Sequence, residues 1–134
     1  MNKIILILIL FFSLISNSNG QTQRIISGNE TAKITIIAYE SLTCSHCANF
    51  HKDIYPQLKK DFIDKGLVKI EFRNFPLDVA ALNASKIAQC NSDQSLEILE
   101  SLYSGQKDWV KGNTIDEVND NLKKFIKKKK FKID

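Results

Sequence analysis

The sequence predicts an α/β fold built on a strand–helix–strand unit, and three observations carry that prediction. Residues 34–39, Ile-Thr-Ile-Ile-Ala-Tyr, form a short, β-branched, apolar run, the pattern of a strand covered on both faces. From Ser45 onward, Cys47, Phe50, His51, Ile54, Leu58 and Phe62 recur near helical spacing. Residues 67–72, Leu-Val-Lys-Ile-Glu-Phe, then alternate as a second strand. Two strands joined by a crossover helix pair in parallel, with a right-handed connection.

Taken in order, the first twenty residues read as a secretory signal peptide. Lys3 supplies a positive start, residues 4–15 are apolar apart from Ser13, and Ser18 and Gly20 fit the small positions before a cleavage site. The apolar run is shorter than the roughly 20 residues that span a bilayer; an uncleaved anchor is the alternative. No Cys follows it, so no lipidation site is expected. The domain is thus residues 21–134. Residues 21–30 are a polar lead-in with a turn at Ser27-Gly28-Asn29. Residues 41–44 form the loop leaving the first strand. Pro56 is expected to kink the helix that follows and Gly66 to stop it.

Beyond the second strand, Asn74-Phe75-Pro76 makes a turn and Asp78 is the expected N-cap of a helix over 79–91. A further helix spans 95–103, with Leu96, Leu99 and Tyr103 on one face, and ends at Ser104-Gly105. Thr114-Ile115-Asp116-Glu117 is a capping box opening a last helix that runs through Phe125-Ile126 into a lysine run. Phe50, Phe62, Phe72 and Phe75 are assigned to the core, and Trp109 to helix packing.

Composition narrows the function classes. The chain has 134 residues, 43% hydrophobic and 25% charged, as in a soluble domain. The net charge of +4 is concentrated at the C-terminal end, so no nucleic-acid partner is inferred. Three cysteines, Cys44, Cys47 and Cys90, are too few for a disulfide-stapled scaffold, and the odd number leaves one without an intrachain partner.

The chemistry is expected at Cys44-Ser45-His46-Cys47. This motif falls between a strand's carboxyl end and a helix N-terminus, where sites of such folds sit. Unpaired N–H groups and the positive end of the helix dipole there stabilise the thiolate, the reactive form of Cys. Cys44 is the expected nucleophile, with Cys47, one turn in and more buried, resolving the mixed disulfide. The Cys44–Cys47 pair is then the dithiol–disulfide couple. The His46 imidazole is expected to favour the Cys44 thiolate further, making the disulfide form the stronger oxidant. No cofactor is called for. Cys44, Cys47 and His51 lack a fourth ligand, so no metal site is expected, and Ala48 after the second Cys excludes covalent haem attachment.

C-x-x-C beside a strand–helix–strand unit is a thioredoxin-like signature. The stretch Tyr39-Glu-Ser-Leu-Thr-Cys-Ser-His-Cys-Ala-Asn-Phe-His51 resembles the active-site segment of the bacterial DsbA family. Tyr55-Pro56-Gln57-Leu58, Phe72-Arg73-Asn74-Phe75-Pro76-Leu77, the alanine-rich residues 80–88 and Gln106-Lys107-Asp108-Trp109 resemble further parts of it. The resemblance spans roughly residues 30–112. It implies a thioredoxin-like fold with a DsbA-type helical insertion from about residue 79. It also implies disulfide donation to reduced exported proteins in the periplasm, and reoxidation by a membrane quinone-coupled, DsbB-like oxidase.

Four departures from the family stand out. Ser45 replaces its usual Pro. Ala38 stands where many members carry a buried acid that relays protons to the resolving Cys; Glu40, two residues on, shares that face but reads mainly as a solvated strand-end residue. Cys90 reads as a buried free thiol, or as an orphan of a family disulfide in the insertion. Finally, the family's second ββα half, with its cis-proline loop, is missing. The expected sheet has two strands, and the chain is expected to be a C-terminally truncated product, the lysine run at 127–130 marking an adenine-rich stretch where a frame could slip. The alternative to an oxidoreductase is a non-catalytic or metallochaperone-like exported thiol protein using the same cysteines.

Overall fold

The computed structural model describes residues 24–90 and 95–131; the expected signal peptide lies outside them. The predicted strand–helix–strand unit is present. β2 (Ile34–Glu40) and β3 (Val68–Asn74) run parallel, in register from Ile34 opposite Val68 to Glu40 opposite Asn74. Among the described residues the sheet has three strands rather than the expected two, because β1 (Ile25–Ser27) lies within the supposed polar lead-in and pairs antiparallel with β3. The sheet order is β1-β3-β2.

That order reverses the expected roles of the two long strands. β3, read as half-exposed, is central, and its Ile70 is fully buried. β2, read as covered on both faces, has a strand on one side only among the described residues, and leaves Ile34, Ile37 and Tyr39 exposed. The turn from β1 depends on Gly28. Its φ is +106°, and a Cβ there would lie 2.8 Å from Ile63 Cγ2 and 3.0 Å from the Val68 carbonyl.

The crossover helix, α1 (residues 45–63), passes through Pro56 without ending. It is α-helical over Ser45–Asn49 and Tyr55–Leu58 and opens into π-helical turns over Phe50–Ile54 and Lys59–Ile63. The Tyr55 N–H bonds the Phe50 carbonyl and the Asp64 N–H the Lys59 carbonyl, each five residues back. A wider turn before a residue without an N–H relieves the ladder there. It also shifts the buried face by one residue. The positions buried after His51 are Tyr55 and Ile63, whereas the expected Ile54 and Phe62 are 57% and 47% exposed. Phe62 is therefore not core, and neither is Phe75, which is also exposed. Gly66, at φ +72°, closes the helix as expected, with Gly66 N–H on the Ile63 carbonyl and Leu67 N–H on the Phe62 carbonyl.

Among the described residues four helices follow: α2 (Val79–Gln89), α3 (Ser95–Ser104), α4 (Gln106–Trp109) and α5 (Ile115–Lys129). Asp78 caps α2 by accepting the Ala81 N–H at 2.7 Å. Thr114 caps α5 by accepting the Glu117 N–H, while the Glu117 carboxylate accepts the Asn113 N–H. Both caps were expected; α4 was not, being a single turn. Trp109 is fully buried and donates its Nε1–H to the Leu102 carbonyl at 2.9 Å. Around it, Ile98, Leu99, Leu102, Ala84, Ala88 and Leu122 join the helices into one core with Phe72, Ile70 and Tyr55. A buried bond from Tyr55 Oη to Ser27 Oγ, 2.7 Å, ties α1 to β1.

Candidate active site

The loop of residues 41–44 carries the first cysteine, and three parts of the chain hold it. Gln106, at the start of α4, donates from Nε2 to the carbonyls of Leu42 (2.8 Å) and Cys44 (3.0 Å). Thr43 Oγ1 donates to Asp78 Oδ2 at 2.7 Å, so the cap of α2 also braces this loop. Ser41 Oγ accepts the Leu77 N–H. The helical region thus serves the site as much as it serves the core.

Cys44 is itself the N-cap of α1, and its Sγ accepts the Cys47 N–H at 3.4 Å. The two cysteines, both free thiols here, differ in environment. Hydrogen bonding from Cys47, from its side chain and backbone, and from the His46 backbone N–H holds the Cys44 thiol below the usual cysteine range, outweighing burial and the Glu40 charge. Burial pushes the Cys47 thiol up to about 11, with Cys44 and Glu40 adding in the same direction. His46 reaches the Cys44 sulfur through its backbone N–H, and the residue is exposed.

Behind the cysteines lies a buried polar cluster. Glu40, read from sequence as a solvated strand-end residue, is buried, and its Oε2 lies 2.7 Å from His51 Nε2. Two turns of the chain combine to place them there: Glu40 points inward from the last position of β2, and His51 sits on the first π turn of α1. The His51 ring stacks on Tyr103 at 4.1 Å between centroids and lies 5.0 Å from Phe72. Its Nδ1 is buried without a hydrogen-bond partner. Glu40 raises Cys44, Cys47 and Tyr103 alike, which puts the carboxyl within electrostatic reach of both sulfurs.

His51 is turned to Glu40, away from any set of ligands with the cysteines. Among the described residues, no cluster of three or more His, Cys, Asp or Glu side chains could hold a metal ion. Cys90, at the C-cap of α2, is exposed rather than buried. Gln106 and His51 are the positions that sequence reasoning undervalued. Gln106 has no motif of its own, and its partners, two backbone carbonyls, are fixed only by the packing of α4.

Residues 20–133 match the family model for thioredoxin. The chain belongs to the thioredoxin family, on its DsbA branch. It is 34% identical over 93 residues to a Rickettsia bellii protein named as a protein-disulfide oxidoreductase, an overlap covering 68% of this chain and 36% of that one. It is 33% identical over 92 residues to disulfide bond formation protein D of Bacillus subtilis, covering 62% of this chain and 41% of that protein. In three dimensions it is similar to Wolbachia pipientis alpha-DsbA1, with a TM-score of 0.62, 26% identity, and 87% and 67% of the two chains covered. The chain spans about a third of the length of the Rickettsia relative.

Proposed function

We propose that the chain is a thiol–disulfide oxidoreductase whose Cys44–Cys47 disulfide is donated to reduced exported proteins. The observation that carries this reading is the inequality of the two cysteines: one thiol depressed at the helix N-terminus, the other raised by burial.

The exchange follows from that inequality. A substrate thiolate attacks Cys44 Sγ; the Cys44–Cys47 bond breaks and Cys47 leaves with the electron pair, taking up a proton because its thiol form is favoured at neutral pH. A second substrate thiolate then attacks the substrate sulfur of the mixed disulfide, and Cys44 leaves as the stabilised thiolate. The substrate loses two electrons and gains a disulfide; the chain becomes the dithiol. His46, beside the leaving sulfur, is assigned a supporting role in keeping Cys44 ionised. The N-terminal segment and the named relatives support export to the periplasm, and turnover then calls for a reoxidant such as a DsbB-like membrane oxidase.

The test is oxidation of a reduced dithiol peptide by the preformed wild-type disulfide, together with the rate at which the reduced single-cysteine variants Cys47→Ala and Cys44→Ala form a mixed disulfide with a disulfide-bonded peptide at neutral pH. Cys47→Ala, which keeps Cys44, is expected to react far faster than Cys44→Ala. Equal rates for the two variants sink the assignment of Cys44.

A further inference from the structure

A cavity of about 740 Å³ opens along α1 on the side facing α3 and α4. It begins at Ser45 and Ala48, on the same helical turn as the cysteines, and runs to Pro56 and Lys59. Tyr55, His51 and Tyr103 form its floor, all three buried. Its rims carry opposite charges: Lys52 and Lys59 on α1, and Glu97 and Glu100 on α3, with Lys107 on α4 at the end near the cysteines. Lys59 pairs with Asp64 on its own side. Among the described residues, Lys52, Lys107 and Glu97 make no ion pair, so the rims are not closed on each other. Ser45, Asn49, Ser101, Ser104 and Gln106 add hydrogen-bonding groups along its length.

Concave sites of roughly 300–1,000 Å³ with an apolar floor and a few convergent polar groups are the usual form of a binding site. Unpaired charges on facing rims set the orientation of what enters more than they add affinity. The occupant must also be compatible with a reacting sulfur at the cavity's end, because Ser45 lies between Cys44 and the rest of the groove.

We infer that this groove between α1 and the α3–α4 corner is the subsite for the polypeptide segment flanking the substrate's cysteine. The segment lies extended, with an acidic residue toward Lys107 and Lys52 and a basic one toward Glu97 and Glu100. This inference rests on the oxidoreductase reading and adds a substrate preference to it. The chemistry of exchange is unchanged: the groove only raises the chance that the bound thiol meets Cys44 Sγ.

The experiment compares two reductants of the disulfide form, a short dithiol peptide bearing a Glu near its cysteine and dithiothreitol. Ser104→Trp narrows the groove, and Lys107→Glu reverses the rim charge without adding bulk. Each is expected to lower the ratio of the peptide rate to the dithiothreitol rate by about tenfold, and Lys107→Glu to be offset by a peptide with Lys in place of Glu. Ratios within about twofold of wild type for both variants overturn the inference. Failure of the underlying reading looks different: the wild-type disulfide then oxidises the peptide no faster than a simple small-molecule disulfide does. Circular dichroism of both variants guards against misfolding, and the charge-swapped peptide gives a second readout that a damaged fold cannot produce.

Discussion

Along β2, the side and end that face α1 differ from the outer edge in how far neighbouring atoms satisfy them. At the inner end, Glu40 is buried against His51, Phe75 donates its N–H to the Glu40 carbonyl at 2.7 Å, and the next residues are clasped by Gln106 and Asp78. On its outer edge β2 pairs with no further strand among the described residues, and Ile34, Ile37 and Tyr39 stand 44–62% exposed. The comparison separates two properties. The polarisation of Cys44 depends on one helix N-terminus and one braced loop, both complete within the described residues. The stability of the sheet depends on apolar surface that is only partly covered. Reactivity and stability should therefore respond to different substitutions.

The largest effect is expected where stability alone is at stake. Trp109 is fully buried at the centre of the helical core. Trp109→Ala should destabilise the fold by about 3–5 kcal/mol, read from urea unfolding. Under native conditions, the alkylation rate of Cys44 should change little. A large change in Cys44 reactivity in a folded Trp109→Ala protein would break the separation.

Gln106→Leu touches both properties. It removes two hydrogen bonds to backbone carbonyls, a buried one at Leu42 and a part-buried one at Cys44, and should cost roughly 1–3 kcal/mol. Because the loop carrying Cys44 loosens, the Cys44 thiol should also rise toward that of free cysteine. Loss of stability without that rise would place the anchoring of Cys44 in Thr43 and Ser41 instead.

The pH dependence sharpens the contrast between the cysteines. Alkylation of Cys44 should titrate with a midpoint below that of free cysteine, and Cys47, measured in Cys44→Ser, above it because burial remains, though lower than in the intact pair because Cys44 no longer contributes. The linked stabilities have opposite signs. Folding depresses Cys44, so its thiolate stabilises the reduced fold fully above the unfolded value, and that contribution is lost as pH falls through the folded value. Folding raises Cys47, so its contribution is present below the unfolded value and lost as pH rises toward about 11. In Cys47→Ser, reduced-state stability should therefore increase with pH across the Cys44 window.

How far these features were legible in the sequence follows from their range. Local signals sufficed for the C-x-x-C at a helix start, for the Asp78 and Thr114 caps, and for Gly66 as a stop, since each is set by bonds within a few residues. The buried face of α1 was misplaced after His51, because periodicity assumes one turn geometry and the π turns around Pro56 add a residue each. β1 escaped notice because three residues, Ile25–Ser27, carry too little pattern; only pairing with β3 makes them a strand. Glu40 looked solvated because nothing in its neighbourhood in sequence announces His51 as a partner eleven residues away. The apolar run of β2 promised cover on both faces, and the described residues supply only part of it.

That last mismatch gives the smallest and most specific prediction. Ile37 lies at the middle of β2, 44% exposed, with Glu71 opposite it on β3. Glu71 is already bonded to Arg73 and lies 3.6 Å from Arg24. Ile37→Lys gives up some strand preference and apolar burial but places a cation beside a buried carboxylate, each effect worth roughly 0.2–1 kcal/mol. The two offset, so stability should stay within about 0.5 kcal/mol of wild type. Self-association should nevertheless fall, because a lysine on an open, flat, apolar edge blocks edge-to-edge pairing. Sedimentation at rising concentration reads this directly. A loss of several kcal/mol would instead mean that Ile37 is covered in the folded protein, and that the outer side of β2 is as well satisfied as the inner.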